Sequence, residues 1–299
     1  MKAIGIDIGG TSIKGMIVND RGDTMAQTKI ATDAAQGKDH IVHHVRTVIA
    51  NLLNLHQDVA GIGIGTAGRV DTLTGEVVFA TDNLPGWMGT NLKRLFEEEF
   101  NRPVAVDNDA NTALIGEAWL GAGRGCSDVT MLTLGTGVGG ANMVRGELVR
   151  GALWNGGEWG HVVFVPRGLP CNCGQRGCIE QYLSGTAFVR YAREATQNFY
   201  ASGVEVLADY QGGNKAIVQM VNQFMDDLVI AVYNIHLGIN PQAIVIGGGL
   251  ADSKDVWWEL FVDKVRRLEL GIEVRAAQLG NQAGSIGAAK MVLGGEPLD

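Results

Sequence analysis

The chain has no run of eighteen apolar residues, so it offers no membrane-spanning helix and no membrane partner is expected. It also lacks a secretory leader pattern, and a reducing, cytoplasmic setting is expected. Positive charge is in deficit: 24 Lys and Arg stand against 32 Asp and Glu, a net charge of −8, which argues against nucleic acid as a general partner. No Gly-x4-Gly-Lys-Ser/Thr segment occurs, which excludes a P-loop. No low-complexity stretch or flexible linker interrupts the chain. Its 299 residues, 46% apolar and 19% charged, suffice for two globular domains with ample core.

Cysteine is scarce, with 4 in all, yet three of them fall together as Cys171, Cys173 and Cys178, with His161 upstream. A Cys₃His set suits a tetrahedral Zn²⁺, which takes thiolate and imidazole ligands together. Gly174 and Gly177 let so short a loop turn back on itself. A disulfide is disfavoured in a reducing setting, and Cys171 and Cys173 stand too close in sequence to bridge comfortably. Glu158 and Glu180 flank the set at its two ends, so the loop carries polar groups of its own. Cys126, alone before an apolar strand, is expected as a small buried hydrophobe.

Glycine is abundant, at 43 residues, and gathers in tight turns beside apolar runs, which suggests places where backbone approaches a ligand. Residues 2–20 read as strand, Gly9-Gly10 turn and strand, with a third strand over 24–30. Residues 129–144 repeat that plan around Gly135-Thr136-Gly137, so the chain holds an internal pair of glycine hairpins. Their N–H groups can face phosphate oxygens, Thr11 and Thr136 add hydroxyls, and Lys14 adds a positive charge. Asp7, at the end of the first strand, is placed to hold a hydrated Mg²⁺. A side chain at Gly137 is expected to obstruct a phosphate approaching that turn. Gly63-Ile-Gly65-Thr-Ala-Gly68 and Gly135-Thr-Gly137-Val-Gly-Gly140 match the dinucleotide spacing. No helix is expected to open at either: residues 69–75 read as turn, and a strand follows the second. Helices are expected over 39–55, with its histidines on the solvated face, and over 92–100, 111–120, 255–268 and much of 184–235. Short strands are expected over 59–65, 104–106 and 243–246.

Asp107-Asn108-Asp109-Ala110-Asn111 stands between a strand and a helix. One such residue would cap the helix, but several in succession exceed that need. The excess points to a general base beside an amide that orients a hydroxyl.

Eight segments together resemble the ROK family of bacterial sugar kinases, within the larger group that shares the ATPase fold of hexokinase, actin and the Hsp70 chaperones. They are Asp7-Ile-Gly-Gly-Thr-Ser-Ile-Lys14, Asn83-Leu-Pro-Gly-Trp87, Asp107-Asn-Asp-Ala-Asn111, Leu134-Gly-Thr-Gly-Val-Gly-Gly140, Gly157-Glu-Trp-Gly-His161, Cys171-x-Cys-Gly-x-x-Gly-Cys-x-Glu180, Ile246-Gly-Gly-Gly249 and Gly284-Ser-Ile-Gly-Ala288. The resemblance implies a two-lobed α/β, ribonuclease H-like fold with a ligand cleft between the lobes. Composition places the domain boundary near residue 110. The small domain is then 1–110, with a C-terminal helix over about 285–299 returning to it, and the large domain is 111–284 with the zinc loop.

The implied reaction is ATP-dependent phosphorylation of a hexose, with catalytic Mg²⁺ and structural Zn²⁺. Asp109 is the implied base. Asn83, Asn108, Asp109, Glu158, His161 and Glu180 are implied to bind sugar. Asp7, Gly9, Gly10, Thr11, Lys14, Thr136 and Gly137 are implied at the phosphates and their Mg²⁺, Gly248 and Gly249 beside the adenosine, and His161, Cys171, Cys173 and Cys178 at zinc. Glucose at its 6-hydroxyl is the expected acceptor, because Glu180-Gln-Tyr-Leu-Ser-Gly185 resembles the glucokinase members. N-acetylglucosamine, N-acetylmannosamine, fructose, mannose and allose remain open. A homodimer is the expected assembly, with a homotetramer as the alternative. Two departures from the family pattern are Ala67-Gly-Arg-Val-Asp71, where Pro-Gly-Pro-Val-Asp is frequent, and Asp107, where Glu is usual. A sugar-sensing repressor of the same family would carry a helix-turn-helix domain ahead of the first glycine turn. Here Asp7 closely follows Met1, so that reading is disfavoured.

Overall fold

The computed structural model describes residues 1–294, which form two compact units. The first contains Met1–Arg124, Arg150–Gly156 and residues 281–294; the second contains Gly125–Val149 and Gly157–Gly280.

In the first unit, β1 (Lys2–Ile8), β2 (Ser12–Asn19) and β3 (Thr24–Ala31) form an antiparallel meander. α1 (Lys38–Leu55) buries Ile41, Val45, Val48, Ile49 and Leu52, whose helical spacing makes one apolar stripe against that meander. β4 (Ile62–Thr66) adds parallel to β1. A small separate hairpin follows, β5 (Arg69–Asp71) with β6 (Glu76–Phe79), where the sequence suggested only a turn. α2 (Leu92–Phe100) starts at Asn91, whose side chain accepts the Arg94 N–H at 2.9 Å. β7 (Val104–Asn108) pairs parallel with β4, giving the order β3-β2-β1-β4-β7. α3 (Asp109–Leu120) begins at the next residue.

The second unit repeats this plan. β8 (Val129–Leu134), β9 (Val138–Val144) and β10 (Glu147–Leu148) are antiparallel. The cysteine loop then leads to α4 (Glu180–Leu183), α5 (Gly185–Thr196), α6 (Gly203–Gln211) and α7 (Lys215–Ile239). β11 (Ala243–Gly247) returns parallel to β8; after α8 (Lys254–Arg266), β12 (Glu273–Ala276) completes the order β10-β9-β8-β11-β12. β12 had no signal in the sequence, because its residues are only partly covered and alternate weakly. Cys126 is half-buried, not fully enclosed as expected, and lies beside Arg275.

α9 (Ala283–Leu293) rejoins the first unit, against β1, β4 and α3. Residues 295–299, the end of the helix expected there, lie outside the described residues. Glycine sets this contact. A methyl group at Gly5 or Gly63 would strike the backbone of Ser285 or Ala288. One at Gly116 or Gly287 would strike that of Ala283 or Thr112. Many glycines that suggested ligand contact therefore serve helix-on-sheet and helix-on-helix packing. The first unit includes α3 and reaches Arg124, beyond the boundary near 110 that composition suggested. Of the histidines on α1, only His43 is well exposed; His40 and His44 are half-buried, against expectation.

Candidate active site

In the first unit the candidate residues gather at the C-terminal ends of β1 and β7. Asp7 faces Lys14 across the β1–β2 register, and their side chains pair at 3.3 Å. Burial raises the pKa of Asp7, and the Lys14 charge and hydrogen bond oppose the rise only in part. Between them the turn is closed by the Gly9 N–H on the Ser12 carbonyl at 3.1 Å. Space is open where a side chain at Gly10 would stand, so the turn's backbone is uncovered. Thr11 is exposed, and its carbonyl accepts the Thr32 N–H at 3.1 Å.

The Asp-Asn-Asp run divides into three tasks. Asp107 is fully enclosed, and its Oδ2 accepts from Arg150 Nε at 2.8 Å and Nη2 at 2.8 Å. Its Oδ1 accepts from the Asn111 amide at 2.8 Å and the Asn108 N–H at 2.7 Å. Asn108 caps α3: its Oδ1 takes the N–H groups of Ala110 at 2.8 Å and Asn111 at 3.2 Å, and its amide donates to the Gly68 carbonyl at 2.9 Å. One amide hydrogen of Asn108 is left for another partner. Asp109 Oδ1 accepts the Ala110 N–H at 2.8 Å. Part of its surface meets solvent, but dense protein around the carboxyl lifts its pKa to about 6; the nearby Asp7 charge adds to this, and the helix-end N–H groups and Asn108 oppose it. A carboxylate in this state is suited to accept a proton near neutral pH. Arg150 was not foreseen, because nothing local marks it; its role follows from the buried acid it neutralises. Asn83 is exposed, on a turn held by buried Leu84 and by Trp87, whose indole donates to Thr66 Oγ1 at 2.9 Å.

In the second unit the Gly135–Gly137 turn joins β8 and β9. It is tied to the start of α5: the Gly185 N–H reaches the Gly135 carbonyl at 2.7 Å and Thr186 Oγ1 the Thr136 carbonyl at 2.7 Å. Glu180 Oε2 accepts the Val138 N–H at 3.0 Å, and Cys171 Sγ lies 3.9 Å from Glu180 Oε1. A methyl group at Gly137 would collide with the Glu180 carboxylate. The turn and this candidate sugar residue are thus coupled, so a side chain at Gly137, which the resemblance implies at the phosphates, would also disturb Glu180. Gly248 has φ 83° and sits against the Leu134 backbone, which gives it a packing role; Gly249 faces open space. Glu158 and His161 are half-buried on the short turn that precedes the cysteine loop.

That loop is knitted by backbone bonds, with the Gly177 carbonyl accepting from Phe164 and Val165 at 2.7 and 3.0 Å. Gly174 and Gly177 have φ of 90° and 79°, the left-handed region that favours glycine. One ligand atom from each of His161, Cys171, Cys173 and Cys178 lies within 4.8 Å of all the others. Cys173 and Cys178 sulfurs are 3.7 Å apart, as are Cys171 Sγ and His161 Nδ1. Zn–S bonds of about 2.3 Å in a tetrahedron put sulfurs about 3.8 Å apart, so the set fits Zn²⁺. Burial and then the neighbouring thiols push the Cys178 thiol up to about 12, and burial raises Cys171 too. Thiols so placed ionise together only beside a cation, which reverses this balance.

Residues 3–294 match the model of the ROK family. A glucokinase of Halalkalibacterium halodurans is 33% identical over 97% of this chain and 94% of its own. An N-acetyl-D-glucosamine kinase of Photobacterium profundum is 32% identical over 86% of each chain. The crystal structure of a ROK family glucokinase from Streptomyces griseus in complex with glucose and AMPPNP superposes with a TM-score of 0.87 at 33% identity, over 97% of this chain and 99% of that one. With the paired five-stranded sheets, these matches give the actin/hexokinase-like fold, and the chain belongs to the ROK family.

Proposed function

We propose that this chain is an ATP-dependent hexose kinase that phosphorylates glucose at its 6-hydroxyl. The observation that carries this is Asp109: at the head of α3, with Asp107, Asn108 and Asn111 committed to capping and ion pairing, it is the member of that run whose carboxylate is tuned toward neutral pH. The glucose and AMPPNP complex of the Streptomyces griseus relative supports the reaction class.

Asp109 takes the proton of the 6-hydroxyl as that oxygen bonds to the γ-phosphorus. The bond from phosphorus to the β,γ-bridging oxygen breaks, and ADP leaves with that electron pair. Asn83, Asn108, Glu158, His161 and Glu180 hold the sugar hydroxyls; a competitor that leaves such groups unpaired is rejected strongly. Gly9, Gly10, Thr11, Lys14, Thr136 and Gly137 receive the phosphates, and Gly248 and Gly249 lie beside the adenosine. Mg²⁺, held by Asp7 through its water shell, would neutralise phosphate charge. His161, Cys171, Cys173 and Cys178 hold a structural Zn²⁺ that fixes Glu180, and thiols in this state suit the reducing cytoplasm. A homodimer would cover the apolar face that α7 leaves open at Ile230, Tyr233 and Leu237.

The similarity to an N-acetyl-D-glucosamine kinase favours that sugar as the second reading. A coupled assay over hexoses and amino sugars decides between them. Glucose is expected to lead both amino sugars in kcat/KM by at least about tenfold, roughly 1.4 kcal/mol in transition-state binding. A better amino sugar overturns the glucose assignment, and no turnover of any sugar overturns the kinase.

A further inference from the structure

A second cluster of metal-ligating side chains lies in the first unit, apart from the residues assigned above. His40 and His44 stand one turn apart on α1, so they share a face. Their ring centroids are 4.0 Å apart. Asp33 reaches them from the preceding loop, and one ligand atom from each of the three lies within 4.8 Å of the others.

Three details point to a ligand. His40 Nε2 is closed off from solvent and has no hydrogen-bond partner. Its distance to Asp33 Oδ2, 3.9 Å, is too long for a hydrogen bond. Tetrahedral bonds of about 2.1 Å would hold two such atoms about 3.4 Å apart, so an ion would draw the exposed Asp33 carboxylate in by about 0.5 Å. His44 Nδ1 donates to the Ala31 carbonyl at 2.8 Å, which fixes the tautomer and leaves Nε2 with its lone pair. A backbone carbonyl on the far nitrogen is the usual support of a metal-binding imidazole. Asp33 itself holds a left-handed backbone, φ 48° and ψ 47°, which turns the loop back toward α1.

We propose that Asp33, His40 and His44 form an accessory site for a divalent transition-metal ion, separate from the cysteine cluster. Two imidazoles and one carboxylate suit Zn²⁺, Ni²⁺ or Co²⁺ and do not suit Mg²⁺, which prefers an all-oxygen shell. The ion sits in the first turn of α1, where the helix dipole opposes a cation; the Asp33 carboxylate and that of neighbouring Asp39 offset this. Its occupancy ties the loop to α1. Thr32, next to Asp33, donates its N–H to the Thr11 carbonyl and its hydroxyl to the Gly9 carbonyl at 2.6 Å, so the ion also steadies the first glycine turn.

The test dialyses untagged protein, as purified, against micromolar Ni²⁺ and measures zinc and nickel per chain by elemental analysis. Wild type is expected to gain one nickel while its zinc content stays unchanged. H40Q and H44Q are expected to lose that nickel, H43Q to keep it, and D33N to bind it more weakly. Hydrogen exchange at residues 31–37 should slow with nickel in wild type only. Melting curves without nickel show whether each variant is folded, and D33N, which keeps the side chain's shape on an exposed loop, serves if a histidine variant is not. Nickel bound equally by wild type and the H40Q/H44Q double variant overturns the site, as does its loss in H43Q.

Discussion

Asp109→Asn should make a protein that is more stable and nearly inactive. The carboxyl rises from an ordinary 3.8 to about 6 because folding buries it, which corresponds to roughly 3 kcal/mol of cost once it is ionised. Residual solvent contact screens part of that, so a gain of about 1 to 3 kcal/mol is expected from the neutral amide at pH 8. Between about pH 4 and 6 the folded state binds more protons at Asp109 than the unfolded state, so this contribution to stability falls as pH rises through that window. Below it the carboxyl is protonated in both states and the advantage of asparagine disappears. The oxygen of the substituted amide can still accept the Ala110 N–H, so the cap is retained. Urea unfolding at pH 4 and pH 8 measures the difference. The same variant should lose roughly 100- to 10,000-fold in kcat, the usual share of a general base. In wild type, kcat/KM for glucose should decline about tenfold per pH unit below about 6, as the base becomes protonated. If Asp109→Asn is no more stabilising at pH 8 than at pH 4, the burial argument is refuted. A near-normal rate in the same variant would remove Asp109 from catalysis.

Arg150→Met leaves the Asp107 carboxylate enclosed without its cation. It should cost about 2 to 4 kcal/mol in urea unfolding, the lower part of that range if water reaches Asp107 where Arg150 was. Its kcat should fall as well, because Asp107 also orients the Asn108 backbone and Asn111. Removing zinc with a chelator should release Glu180, raise the KM for glucose several-fold and loosen residues 162–179 in hydrogen exchange; a metal-free protein with full activity would contradict this. Gly137→Ala should weaken both MgATP and glucose in calorimetry, because the new methyl displaces Glu180, whereas Gly10→Ala, which has open space, should leave glucose binding unchanged.

The sequence carried more of the site than of its supports. The two glycine hairpins, the cysteine cluster and the Asp-Asn-Asp run each depend on residues adjacent along the chain, so spacing alone made them visible. Arg150 meets Asp107 from a distant segment, and no local pattern announces such a pair. The β5–β6 hairpin was hidden because Arg69-Val-Asp71 is short and followed by turn residues. Glycine misled for a physical reason: a bare Cα permits close approach by any backbone, whether of a ligand or of α9, and composition does not distinguish them. The three-way division of the Asp-Asn-Asp run needed coordinates, since each of its members could have capped α3.

The late position of α9 in the chain bears on biosynthesis. The sheet β3-β2-β1-β4-β7 is translated first, yet the helix that covers β1 and β4 is made after the whole second unit. The second unit is complete once Gly280 is made, its two segments separated only by Arg150–Gly156, so it can close while the ribosome is still translating. The first unit must wait, with an apolar, glycine-lined sheet face open until residues 283–293 emerge. Nascent chains stalled before that point should attract chaperones through the first unit, although it is the older part of the polypeptide.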